Sequence, residues 1–283
     1  MSKYKAFLAL LTVVILWGSS FPVIKIVVTG IGGYRYTWVR GLIAFTFLSP
    51  FALKRVKWSG SGKYTFYGGL ITGAIYMAGL WLQGVGTSLT TASNSAFITG
   101  LNVVFVHLYV ALIHKRYSGS LGAELVLALI GLYLLTSPRG GFNLGDLLVL
   151  LGAIMWAGQV ILVSKYDGDP IVFTWAEMLP SITLVTLDMI SSESITLTPT
   201  ELLGLTYLGI VCSGVAFTLQ VYGQKTIKPE IAALTYLLEP VFASIFSWII
   251  LGEVMNTIQL AGATLILIAT GLANKSYLRE ARG

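Results

Sequence analysis

Charge is the first thing this sequence lacks. Only 11% of its 283 residues are Asp, Glu, Lys or Arg, less than half the ~25% of an ordinary soluble domain. That deficit excludes a cytosolic enzyme and any disordered class. Cysteine is nearly absent too. The single Cys212 rules out a disulfide framework and a cysteine-based metal site, and its apolar surroundings read as those of a small core residue. With two histidines, metal ligation is not expected, nor is any cofactor. There is no His-Glu-x-x-His, no Gly-x-Ser-x-Gly and no Gly-x-x-x-x-Gly-Lys-[Ser/Thr], so neither hydrolysis nor direct use of ATP has a motif to rest on. The chain is not expected to be an enzyme. Strand-like alternation is missing as well, which disfavours a β-barrel.

What the sequence has instead is long apolar runs. Hydrophobic residues make up 55% of it, and the mean hydropathy is +0.82. A spanning helix needs about 20 predominantly apolar residues. Ten such runs lie at approximately 5–25, 34–53, 64–86, 91–113, 120–137, 144–164, 171–190, 202–224, 230–251 and 257–275. The first is too long for a signal peptide and lacks a small-residue cleavage site, so it is kept as a helix. The expected fold class is an all-α integral membrane protein with about ten transmembrane helices. The short loops between them leave no room for a soluble domain.

The net charge of +6 invites a nucleic-acid reading, which the distribution of the charges answers. With the N-terminus placed inside, the inner segments hold Lys3, Lys5, Lys54, Arg55, Lys57, Lys63, Lys115, Arg116, Lys165, Lys225, Lys228, Lys275, Arg279 and Arg282. These are fourteen of eighteen basic residues. Arg35 and Arg139 fall in outer loops, Lys25 at an outer helix end and Arg40 within a helix. This is the positive-inside asymmetry of a cell-membrane (inner or plasma membrane) protein with both termini cytoplasmic. Nucleic acid is not an expected partner.

The two halves resemble each other. Tyr36-Thr37-Trp38-Val39-Arg40 matches Phe173-Thr174-Trp175-Ala176-Glu177 at an offset of 137, and Leu101-Asn102-Val103-Val104-Phe105 meets Leu238-Glu239-Pro240-Val241-Phe242 at the same offset. Trp17-Gly18 aligns with Trp156-Ala157 at 139. Two units, 1–138 and 139–283, are expected. Each holds five helices, an odd number, so the second enters the membrane from the opposite side. Inverted repeats of this kind underlie alternating access in many secondary transporters. By helix rise, Trp17 and Trp156 lie about 18 Å deep, and Asn102 and Glu239 also fall near the midplane. Arg40 and Glu177, although symmetry mates, should lie in different leaflets and not pair with each other.

These residues carry a family resemblance. Trp17-Gly18-Ser19-Ser20-Phe21-Pro22-Val23-Ile24-Lys25 resembles the opening signature of the drug/metabolite transporter superfamily, EamA type. Arg40 with Ala44 is similar to its second-helix pattern. Thr91-Ala92-Ser93-Asn94-Ser95-Ala96 and Leu238-Glu239-Pro240-Val241 with Gly252-Glu253 resemble its fourth- and ninth-helix patterns. The resemblance spans essentially the whole chain and implies a multi-pass exporter of metabolites and amino acids. Two departures stand out. Asn102-Val103 replaces a frequent Pro, so the first half is expected to lack the helix break that the second keeps at Pro240, and Lys115-Arg116 stands where Gly-Glu is common. Residues 6–24 contain no acid, unlike the small multidrug exporters of the superfamily, which argues against their mechanism here.

The candidate transport residues are Trp17, Ser20, Arg40, Asn102, Trp156, Gln159, Glu177 and Glu239. Glu239 either carries a proton or contacts an amine, or it is a structural carboxyl at the Pro240 break. Arg40 either attracts a carboxylate or anionic group, or snorkels to headgroups or bonds backbone carbonyls at a helix end, and Glu177 either faces substrate or belongs to a buried ion pair. The tryptophans either stack on substrate or pack the core. Asn102 and Gln159 either line a cavity or bond between helices. His107 relays protons or, the more ordinary role, makes an interhelical hydrogen bond. Gly69-x-x-x-Gly73 signals tight packing.

The expected activity is secondary transport, by alternating access and in the direction of export, of small metabolites such as amino acids or amines. The expected partners are a small-molecule substrate, the lipid bilayer and, where flux is ion-coupled, protons. The functional unit is expected to be the monomer. The rivals are a channel or a non-transport membrane enzyme; the second needs a cluster of acids, histidines or hydroxyls at one membrane face, which the sequence does not show.

Overall fold

In lipid, a backbone must satisfy its own polar groups, so apolar runs of this length are stable only as helices. The computed structural model describes residues 2–114, 117–138, 140–190 and 196–279, and these contain helices and no strand. Lys115, Arg116, Arg139 and Arg282 lie outside the described residues. The first half comprises α1 (Lys3–Ala52), α2 (Ser61–Leu89), α3 (Ala92–Gly100), α4 (Asn102–His114) and α5 (Gly119–Thr136). The second comprises α6 (Leu144–Val163), α7 (Pro170–Met178), α8 (Ser181–Ile190), α9 (Pro199–Gly209), α10 (Ala216–Gln224), α11 (Pro229–Tyr236), α12 (Glu239–Leu251) and α13 (Thr257–Arg279). Among the described residues, eight helical stretches are long and apolar enough to cross a membrane, and Pro170–Thr186 is a shorter apolar stretch. The chain is an all-α, multi-pass membrane protein.

The structure differs from the sequence reading in three places. The first two apolar runs are not separated by a loop. Helix continues through both and reverses at Gly32, whose φ of 78° and ψ of 159° belong to a region open to glycine alone at little cost. Second, the run 91–113 is interrupted between α3 and α4 although it has no proline. Leu101 closes α3 with φ −64° and ψ −9°, and the Asn102 side chain donates to the Thr99 carbonyl at 2.9 Å. A side-chain amide that takes a backbone acceptor competes with the helix ladder, so Asn102 does the work expected of a proline. Leu237 closes α11 with the same φ and ψ, −64° and −9°, one turn before Pro240. Third, the run 202–224 passes through a π-helical segment, Ile210–Val215, which no hydrophobic period reveals.

Glycine sets the closest approaches. A Cβ on Gly86 would stand 2.7 Å from the Gly145 carbonyl oxygen, and one on Gly145 2.7 Å from that of Gly86, so α2 and α6 touch backbone to backbone. Van der Waals contact of this closeness is a main source of helix association in lipid.

One end of the bundle gathers Arg55 with Asp169 at 3.5 Å, Lys225 with Asp167 at 3.6 Å, and Lys3 4.4 Å above the Tyr277 ring. Both the N-terminal and the C-terminal helix therefore finish at the end that carries the basic loops. At the other end, Arg35 on α1 pairs with Asp188 on α8 at 3.2 Å, and the Thr90 hydroxyl donates to Asp146 at 2.6 Å.

Candidate functional site

The π segment positions the most strongly charged part of the interior. An α-helix commits each carbonyl to the amide four residues on, while a π-bulge carries an extra residue and disturbs that pairing. Here the Cys212 carbonyl accepts two side chains from α1, Trp17 Nε1 at 3.1 Å and Arg40 Nη2 at 3.2 Å. Arg40 also donates Nε to the Ser213 hydroxyl at 2.5 Å and Nη1 to the Tyr36 hydroxyl. It is only 5% exposed. The Tyr76 hydroxyl of α2 lies beside Ser213 without a regular hydrogen bond. Of the five N–H donors of the guanidinium, three are engaged and two remain.

Glu239, the first residue of α12, supplies the opposite charge. It is half-buried and within electrostatic range of Arg40, Tyr36 and Cys212. Yet it is beyond ion-pair distance of Arg40, and its carboxylate makes no hydrogen bond among the described residues. An acid and a base thus lie in one interior region, within electrostatic range but with no ion pair between them.

Aromatic rings pack around this region. Trp17 lies 5.1 Å from Phe217 and 5.3 Å from Tyr236, Phe217 lies 4.8 Å from Tyr76, and Tyr76 lies 5.5 Å from Trp156, measured between ring centroids. Tyr236, Trp17, Phe217, Tyr76 and Trp156 thus form one continuous chain of rings, with both tryptophans in it. Gly18 lets α1 approach, since a Cβ there would stand 2.5 Å from that of Phe242 on α12.

The remaining sequence candidates divide. Ser20 and Asn102 bond nearby backbone, Ser20 the Trp17 carbonyl of its own helix at 2.6 Å and Asn102 the Thr99 carbonyl of the preceding α3. Gln159 and Glu177 form a second polar centre. Gln159 Nε2 donates to Glu177 Oε1 at 2.8 Å and to Gln220 Oε1 at 3.1 Å, and Gln220 Nε2 donates back to Gln159 at 2.9 Å and on to Gln224 at 3.0 Å. Gln224 Nε2 donates to the Val160 carbonyl at 2.8 Å, and the Tyr236 hydroxyl donates to Gln224 Oε1 at 3.0 Å. Glu177 and Arg40 are not paired. The Gly69-x-x-x-Gly73 stripe seats α7, for a Cβ at Gly73 would lie 2.2 Å from the Glu177 carbonyl oxygen.

His107 bonds the Tyr117 hydroxyl through Nδ1. Burial, with Glu230 and then Glu124 adding to it, pushes the Tyr117 phenol up to about 12, so it stays a donor throughout the physiological range. Among the described residues no group of three His, Cys, Asp or Glu side chains could hold a metal ion.

Sequence reasoning passed over Tyr36, Tyr76, Ser213, Phe217, Gln220, Gln224 and Tyr236. Gln220 and Gln224 were findable, because two glutamines one turn apart in an apolar run present a polar stripe that needs partners.

Comparison with known proteins accounts for this architecture. The model of the EamA-like transporter family matches residues 4–137 and again 143–275. A protein of Archaeoglobus fulgidus named as an uncharacterized transporter is 32% identical over 266 residues, 93% of this chain and 83% of that one. YedA of Escherichia coli K12, named as an uncharacterized inner membrane transporter, is 26% identical over 278 residues, 93% and 89% of the two chains. A crystal structure superposes over 100% of both chains with a TM-score of 0.80 at 16% identity, a likeness of fold. The chain belongs to the EamA-like transporter family of membrane transport proteins.

Proposed function

We propose that the protein is a secondary transporter that exports small metabolites such as amino acids or amines by alternating access. The observation that carries the reading is the Arg40–Glu239 arrangement, in which a buried base from the first half and a half-buried acid from the second lie within electrostatic range without an ion pair. A substrate carboxylate is drawn to the two free N–H groups of Arg40. A substrate ammonium is drawn to Glu239, and the ring chain from Trp17 to Trp156 covers the apolar remainder.

In this reading the units 1–138 and 139–283 are inverted five-helix repeats. Residues 33–52 and Pro170–Thr186 join the eight long stretches to make ten spans. The matched interruptions at Leu101 and Leu237 support the repeat. The end that holds Arg55, Lys225, Lys228 and Lys3 faces the cytoplasm of a cell membrane, with both termini there. The functional unit in this reading is the monomer.

The test is a substrate panel in proteoliposomes, with and without a pH gradient. Saturable flux and counterflow of an amino acid or amine, lost in Arg40→Gln, is the expected result. Non-saturable flux without counterflow would make the protein a channel.

A further inference from the structure

Glu177 has too few partners for a charge. Its side chain is 0% exposed, Oε1 accepts one hydrogen bond from Gln159, and Oε2 is buried with no partner. Nor can the neighbouring amides turn to help. Both hydrogens of Gln159 Nε2 are taken by Glu177 and Gln220, and both of Gln220 Nε2 by Gln159 and Gln224. An ionised carboxylate here would have one donor and no cation. A neutral carboxyl would leave only a hydroxyl unpaired, a far smaller penalty.

The groups that face Glu177 from other elements do not change this. Tyr76 from α2 and Tyr236 from α11 are within its electrostatic range, and both are phenols, neutral at physiological pH. From α6 and α10 come the amides of Gln159 and Gln220. From α1 the nearest cation is Arg40, which is held by Tyr36, Ser213 and the Cys212 carbonyl.

The acid also stands at the head of a clasp. Glu177 on α7, Gln159 and Val160 on α6, Gln220 and Gln224 on α10, and Tyr236 on α11 tie four helices into one network. Gln224 is the last residue of α10, next to Lys225 of the basic end. Glu177 is seven residues into α7, about 10 Å from that end by helix rise.

We propose that Glu177 is a proton-binding site, separate from the Arg40–Glu239 pocket, whose proton holds this clasp shut. Loss of the Oε2 proton to water at the basic end leaves a carboxylate that the dry interior cannot solvate. Its donors must come from water, so α7 separates from α6 and α10 and that end of the second half opens. Rebinding closes it. The proton is the only species transferred. The proposal rests on the transport reading for its place in a cycle, but neither of its tests needs a substrate.

Infrared difference spectra of the reconstituted protein at neutral pH should contain the carbonyl stretch of a protonated carboxyl that Glu177→Gln removes. Opening is read on a Cys212→Ala background from the maleimide labelling rate of Val221→Cys, which lies on α10 at 1% exposure, packed with Val163 of α6 and Phe173 of α7. The closed state binds one more proton than the open one. Labelling should therefore rise about tenfold per pH unit, the slope of a single linked proton. Glu177→Gln keeps the neutral shape and should hold the slow, low-pH rate throughout, whereas Glu177→Asp should restore a pH dependence. A carboxyl band unchanged in Glu177→Gln, or a labelling slope that this variant leaves intact, would overturn the proposal. A failed substrate panel with both signatures present would instead count against the transport reading alone.

Discussion

If Arg40 and Glu239 feel each other's charge, removing both should hurt less than the two single losses combined. Arg40→Gln breaks hydrogen bonds to Ser213, Tyr36 and the Cys212 carbonyl. Only the carbonyl keeps another donor, Trp17. It also leaves the half-buried Glu239 carboxylate without the cation in whose range it lies, so with the lost hydrogen bonds its cost should stand at the upper end of ordinary single substitutions, about 3 kcal/mol. Glu239→Gln removes no hydrogen bond among the described residues, so its own cost is the loss of charge compensation for Arg40, about 1 kcal/mol by comparison with other single substitutions. In the double variant the stranded carboxylate no longer exists. Its destabilisation should fall short of the sum by about 0.5–3 kcal/mol, the usual range for groups in contact or in one network. Reversible unfolding of the four proteins in mixed micelles gives the cycle. Additivity within about 0.5 kcal/mol would show that the two charges are independent, and the shared-pocket argument would fail with it.

Other outcomes follow from single contacts. Trp17→Phe keeps the ring contacts but loses the Nε1 bond to Cys212 and should cost about 1 kcal/mol in thermal unfolding; Trp17→Ala and Trp156→Ala should weaken transport more than they lower stability, and loss of folding alone would make both core residues. Gly73→Ala forces a methyl against the Glu177 carbonyl and should destabilise by about 1–3 kcal/mol, whereas no change in melting temperature would mean that α2 and α7 yield easily. The Tyr117 phenol, raised to about 12 from the ordinary 10.0, contributes stability that is complete below pH 10 and is lost as pH climbs toward 12. Tyr117→Phe should flatten that part of the stability profile. On a Cys212→Ala background, impermeant maleimide added outside cells should reach Phe142→Cys and miss Ser61→Cys; the reverse pattern would invert the orientation.

Much of the fold was legible because lipid turns composition into geometry. The runs at 64–86, 120–137 and 144–164 became α2, α5 and α6 with ends moved by a few residues, since length and apolarity alone decide such helices. The hinge at Gly32 was not legible. Residues 25–34 contain three glycines and read as a loop, yet one left-handed residue was enough. Asn102 was noticed as the missing proline, but its ability to interrupt a helix by capturing Thr99 depends on a rotamer that no alignment of residue types records. For the interior site, single features carried the signal. An arginine, an acid and tryptophans inside apolar runs are costly or unusual enough in a membrane to be noticed one at a time. Tyr36, Tyr76 and Phe217 are ordinary aromatics in an aromatic-rich chain, and only tertiary packing distinguishes them.

The π segment makes the position of the glutamines a matter of counting. Upstream of Ile210 the chain is in register with Gly204 and Gly209, which seat against Val27 and Ile43 of α1. Downstream it must aim Gln220 and Gln224 at α6. The inserted residue reconciles the two faces, because each residue turns a helix by about 100°. Deleting one residue from 210–215 would let a regular helix form, with better backbone bonding and no loss of apolar character. Everything after it would then point about a quarter-turn away, with the amides toward lipid or bare core and the Cys212 carbonyl returned to its own ladder. The segment is therefore a place where a shorter chain could be locally more regular and yet lose both polar centres at once.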